Sequence, residues 1–273
     1  MCSSMGDRSM ITNNRMMKRI AKLGMLLLMG GSMSACAGFL GFGGDSWKEE
    51  VLLHDGSKII AKRSLSYGGR HEIGQGEPIK EQSISFMLPN TSNTITWTSE
   101  YSEDVGGANF DLLALHELNG TPYIVAEPNL CLSYNKWGRP NPPYVFFKYE
   151  GKEWKRISLS ELPVEFKTFN VVIGLGRQSV EVLVKQGLVT AETIKIRNGE
   201  LTQYPQYKTI LREPMPKAGA NCHEMVTNGH GDWFSIDTFK GHPSYGACLQ
   251  FCKRNSFTEQ NCLCEPNLIN KGK

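Results

Sequence analysis

The stretch that decides the fold is Leu112-Leu-Ala-Leu-His-Glu-Leu118, Asn119-Gly120, Thr121-Pro-Tyr123-Ile-Val-Ala126. Two apolar runs rich in strand formers flank Asn-Gly, the dipeptide that most readily supplies two left-handed residues to a two-residue hairpin turn. The same grammar recurs on both sides. Upstream, Glu49–His54 and Lys58–Ser64 flank Asp55-Gly56, Ser83–Leu88 alternates polar with apolar residues, and Thr94–Tyr101 carries the Thr, Ile, Trp and Tyr that suit a pleated, half-buried surface. Downstream, Tyr144–Tyr149 and Trp154–Leu159 flank Glu150-Gly151-Lys152. At least eight strands with short turns predict a mainly β fold over residues 47–165, as an antiparallel sandwich, a barrel or a partial propeller.

After Pro163 the pattern changes. Ser179–Gln186 has helical spacing with Gly187 placed to end it, and Thr190 caps a second helix that runs through Arg197 to Asn198-Gly199. Gln203–Arg212 is a third candidate helix. Residues 213–273 are rich in Gly, Pro, Asn and Cys and too poor in apolar residues for a core of their own. The expectation for residues 166–273 is therefore a smaller part, helical and then disulfide-rich.

One long connection breaks the rhythm. Ser133–Pro143 reads Ser-Tyr-Asn-Lys-Trp-Gly-Arg-Pro-Asn-Pro-Pro, and its prolines and glycine predict irregular structure. Tyr134, Lys136, Trp137 and Arg139 make it the candidate surface for a partner or ligand, because Trp, Tyr and Arg dominate interface energetics. The competing expectation is a structural loop whose Trp137 plugs the core.

The N-terminal region carries a different signal. Arg15, Lys18, Arg19 and Lys22 precede a charge-free run from Leu23 to Ala35, which closes on Met33-Ser34-Ala35-Cys36. The run is too short for a spanning helix and suits a signal peptide. With small residues before the cysteine, it resembles the lipobox of bacterial lipoproteins, although Met33 stands where leucine is more usual. That resemblance implies a diacylglycerol thioether on Cys36, cleavage before it, and N-acylation, so that two or more chains anchor the protein. Ala37 in place of an acidic residue implies the outer membrane. Residues 1–35 are then a signal peptide with an N-terminal extension, and 36–46 a Gly-rich lipid-anchored tether.

Removing residues 1–35 takes away five of the 30 Lys+Arg and one of the 27 Asp+Glu, so the formal charge moves from +3 to −1. A near-neutral body offers no electrostatic footprint for nucleic acid. Six cysteines follow Cys36: Cys131, Cys222, Cys248, Cys252, Cys262 and Cys264. An even number in an exported chain favours disulfides. Six cysteines allow 15 pairings, so the sequence does not fix the connectivity. Cys262 and Cys264 are too close to pair comfortably with each other, and one arrangement nests Cys252–Cys262 within Cys248–Cys264 and leaves Cys131 to reach Cys222. Zinc is the alternative, at Cys248, Cys252, Cys262 and Cys264 or at Cys222, His223, His230 and Asp232, but the Cys-x-Cys pair is tighter than usual zinc spacing.

No Gly-x-Ser-x-Gly elbow, His-Glu-x-x-His helix or phosphate loop is present, and Gly174-Leu175-Gly176 lacks its third glycine. No catalytic residue, cofactor or metal is therefore assigned. His71, or His116 with Glu103 and Asp104, is the material for an envelope hydrolase, the alternative to a binding protein. The block Cys131–Tyr144, followed by Gly151-Lys-Glu-Trp154, resembles a family of uncharacterised Gram-negative envelope proteins over roughly residues 47–212. That resemblance implies an envelope lipoprotein and transfers no catalytic residues.

Overall fold

The computed structural model describes residues 44–89 and 91–265. The signal segment, Cys36 and the tether up to residue 43 lie outside the described residues. The described residues group as one compact unit.

The first sheet begins with the hairpin of β1 (Asp45–Leu52) and β2 (Lys58–Tyr67), in register from Asp45 opposite Leu65 to Leu52 opposite Lys58. Asp55 Oδ1 accepts the Ser57 backbone N–H at 2.9 Å and its hydroxyl at 2.7 Å, and Gly56 supplies the left-handed residue at φ 87°. β3 (Ile79–Met87) and β4 (Thr94–Ser99) continue the sheet antiparallel. Alternate residues point inward, among them Val51, Ile59, Ala61, Ile84, Phe86, Ile95 and Trp97. The far edge departs from the antiparallel expectation, because β11 (Leu188–Val189) lies parallel to β1.

Beyond a small bridge between β5 (Tyr101–Ser102) and β6 (Gly107–Ala108), the second sheet takes up the Asn119-Gly120 hairpin as β7 (Phe110–Leu118) and β8 (Thr121–Pro128). β9 (Val145–Glu150) and β10 (Glu153–Ile157) complete it. β7 and β8 are buried at nearly every central position, the pattern of a sheet covered on both sides. The contacts show both covers. Tyr123 and its partner His116 face Phe166, whereas Ile124 on the opposite face pairs with Phe147, which meets Trp97 of the first sheet. Of the three architectures left open, two packed sheets sharing one core is the one observed, and no barrel closes.

The second cover is the apolar run Phe166–Ile173. It joins the β core, with Phe166, Val171 and Val172 fully buried, so the change of texture after Pro163 marks no separate core. The run forms neither helix nor strand, and side chains, buried at Glu49 and Asn198 and half-buried at Arg212, satisfy its backbone. Asn198 accepts from Ile173 N and donates to the Phe169 and Val171 carbonyls. Glu49 accepts from Val172 N, and Arg212 donates to Phe166 O.

Two helices expected from sequence are present, α2 (Arg177–Gln186, stopped by Gly187 at φ 73°) and α3 (Ala191–Gly199, capped by Thr190). Three expectations need correction. Ser133–Pro143 is not wholly irregular, because α1 (Leu130–Lys136) takes its first residues; the prolines act only beyond Gly138. The helix over Gln203–Arg212 shrinks to the single turn α4 (Pro205–Lys208), since Ile210 N–H is drawn to the Lys167 carbonyl. Finally, the C-terminal region does have a core. The hairpin β12 (Met225–Thr227) and β13 (Trp233–Ser235), with α5 (Ile236–Lys240) and α6 (Tyr245–Arg254), gathers Phe234, Phe239, Phe251 and Phe257 around Cys248 and Cys252. Three disulfides close the chain in the nested pairing: Cys131–Cys222, Cys248–Cys264 and Cys252–Cys262.

Candidate functional site

The four residues expected to meet a partner are largely engaged by the chain itself. Arg139 donates to Cys222 O at 3.0 Å and His223 O at 3.3 Å, and its guanidinium lies 5.1 Å from the ring of Tyr134. Tyr134 is buried. Lys136 pairs with Asp104 at 2.8 Å. With the Cys131–Cys222 bridge beside them, these contacts clamp residues 219–225 onto α1. Tyr134 lines a small opening with Pro143 and Met215, and Trp137 faces a different one. Its indole N–H donates to Asn109 at 3.3 Å, and Trp154 donates to Thr96 O at 2.7 Å, so both rings are held as walls of a groove of about 400 Å³ floored by Phe110 and Phe147.

A larger cleft, about 600 Å³, lies between Leu52 of β1, residues 168–170, α3 and α4. Its walls are apolar: Leu52, Phe169, Ile194 and Tyr207. Lys58, Lys195 and Lys208 stand around it against one acid, Glu192. Lys58 is paired with Glu50 at 3.0 Å; among the described residues Lys195 and Lys208 have no carboxylate within salt-bridge distance. Largely apolar, concave sites with a few placed polar groups are where small ligands bind.

Tyr207 connects the cleft to the second sheet. Its hydroxyl donates to Glu127 at 2.7 Å. Glu127 sits directly across the strand pair from Asp111. Burial, reinforced by the charge of Asp111, pushes the Glu127 carboxyl up to about 8 despite the tyrosine bond. Asp111 is raised by burial too, against the pull of Gln82 and Arg63. The folded chain therefore keeps a proton on Glu127 that the unfolded chain, near 4.5, releases. Between about 4.5 and 6.5 the resulting loss of stability with rising pH is offset by His116, whose burial holds its pKa down to about 4 so that the unfolded chain binds the extra proton there. Above 6.5 only the Glu127 effect remains, and stability is expected to fall as pH rises from 6.5 towards 8. Glu127→Gln removes that fall, measured as urea midpoints across the same range.

His116 is fully buried against Phe166, with Nε2 2.9 Å from Thr168 O, and burial holds its pKa down to about 4. It acts as a neutral core residue. Asp104 turns instead to Lys136, and its carbonyl accepts the Trp233 indole N–H, so the structure does not assemble His116 with Glu103 and Asp104. His71 is exposed, its Nδ1 3.0 Å from Gly69 O. Cys222 is committed to Cys131, which rules it out as a metal ligand in this state. Among the described residues, the sulfurs of Cys248, Cys252 and Cys264 lie within 4.8 Å of one another, but they too are committed to bridges, to one another and to Cys262.

No family model matches the chain, and neither the curated proteins nor the solved structures give a match. The site is therefore read from its own chemistry. Sequence reasoning missed the cleft because its walls come from four separated segments. It also missed the carboxyl pair: the register set at Asn119-Gly120, with Leu118 opposite Thr121, would place Asp111 opposite Pro128, and it is the shift between Leu112 and Ala114 that brings Asp111 opposite Glu127.

Proposed function

We propose that this chain is a lipid-anchored protein of the bacterial cell envelope, held at the outer membrane through acylated Cys36, whose β-rich body binds a ligand rather than transforming one. The observation that carries the binding reading is the apolar cleft edged by Lys195 and Lys208. Apolar walls favour an apolar body, and two cations without acidic partners favour an anionic head. The ligand class is a single-chain amphipathic anion.

Titration calorimetry with dodecanoate and with dodecyltrimethylammonium tests this. Dodecanoate should bind one per chain, and Lys195→Gln with Lys208→Gln should weaken it about tenfold, or ~1.4 kcal/mol. Equal binding of the cationic amphiphile, or an unchanged affinity in the double variant, would contradict it.

A second reading rests on the groove between Trp137 and Trp154. Two rings fixed by their own hydrogen bonds are preorganised for contact, which lowers the ordering cost of binding. That groove keeps the far end of the 133–143 loop as a surface for an envelope partner.

A further inference from the structure

We propose that the four C-terminal sulfurs form a redox-switched metal site, which takes one soft divalent ion such as zinc once both bridges are reduced. This inference is independent of the ligand reading above.

The two bridges are not separate staples. Cys264 Sγ lies 3.5 Å from Cys252 Sγ in the other bridge and 3.5 Å from Cys262 Sγ. The sulfurs of Cys248, Cys252 and Cys264 all lie within 4.8 Å of one another. A tetrahedral ion with metal–sulfur bonds of about 2.3 Å requires sulfurs about 3.8 Å apart. Two contacts among these sulfurs already approach that spacing; the two bonded pairs must open, and Cys262, which stands outside the group formed by the other three, must swing towards Cys248. Cys248 and Cys252 stand one turn apart on α6, which fixes two ligands on one helical face. The tight Cys-x-Cys spacing, unfavourable as a sequence pattern, still leaves the Cys262 and Cys264 sulfurs 3.5 Å apart.

The surroundings suit the exchange. Phe234, Phe239, Phe251 and Phe257 enclose the sulfurs, and this lobe has little other core. A cross-link of some kind is needed to hold so small a cluster. Each bridge takes two electrons and two protons from a dithiol, which leaves as its own disulfide. The four thiols then release four protons as the ion takes four thiolates.

The test uses the whole chain, fully reduced with a phosphine, desalted without oxygen and titrated with cobalt as a spectroscopic stand-in for zinc. One cobalt per chain should appear with thiolate charge-transfer absorption and the bands of tetrahedral coordination, and zinc should displace it. Cys131→Ser with Cys222→Ser should leave the spectrum intact, whereas Cys252→Ser should abolish it. Because Cys252→Ser also breaks a bridge, a second measurement uses the unaltered sequence. Zinc should shield Cys248, Cys252, Cys262 and Cys264 from alkylation in the reduced chain while Cys131 and Cys222 remain open to it. A reduced chain without the charge-transfer band, or equal alkylation of all six with and without zinc, would overturn the proposal.

Discussion

Arg63→Met is expected to cost about 3–5 kcal/mol of folding stability, the usual result of removing one partner from a buried ion pair. Arg63 and Glu49 have no exposed side-chain surface and lie 3.4 Å apart. The guanidinium also donates to Gln82 at 3.1 Å and to Val172 O at 3.3 Å, while Glu49 accepts from the Trp47 indole at 2.8 Å and from Val172 N at 3.1 Å. The pair thus ties β1, β2 and β3 to the irregular run that covers the second sheet. Burial alone would push Glu49 up strongly; Arg63, the indole and the Val172 N–H pull against it. With Arg63 gone, the carboxylate must either stay charged without its counterion or take up a proton. Adding Glu49→Gln keeps an acceptor for Trp47 and removes the charge, so the double variant should be more stable than Arg63→Met alone. Urea unfolding at neutral pH measures both, and equal midpoints would contradict the account.

Phe166→Ala is expected to cost a similar ~3–5 kcal/mol through the cavity it leaves. The ring is fully buried, stacked on His116 with centroids 4.6 Å apart and edge-on to Tyr123 at 5.3 Å and His54 at 5.4 Å. No regular hydrogen-bond ladder holds this part of the chain, so packing has to. Phe166→Leu should recover about half of the loss, because it refills most of the space without the stack. Thermal unfolding of the three proteins checks the order; an alanine variant within about 1 kcal/mol of the parent would show that the run is not the cover described here.

The parts of this fold that were legible in the sequence are the local ones. Asn119-Gly120 and Asp55-Gly56 specify hairpins within a dozen residues, and Thr190 specifies a helix start within four. The cysteine pairing was not legible, because six cysteines allow 15 pairings; the nested arrangement was one of them, and the structure is what selects it. The run Phe166–Ile173 was not legible. Its apolar residues suit a strand, but its hydrogen-bond partners are Glu49, Arg63 and Asn198, which lie between 25 and 123 residues away. Periodicity carries no information about contacts of that kind. The same limit explains the loop: Trp137 and Arg139 were recognised as contact-forming residues, but that much of the contact is made with the chain's own residues 219–225 depends on a bridge spanning 91 residues. The cleft depends on four segments meeting and leaves no trace in any one of them.

The lipid tether at Cys36 is proposed for a β body that three disulfides close. Its most direct test is the intact mass of protein extracted from membranes and alkylated without reduction. The account predicts a mass that begins at Cys36, carries acyl chains and shows no alkylated thiol. An unacylated mass, or any alkylated cysteine among the six that follow, would contradict it.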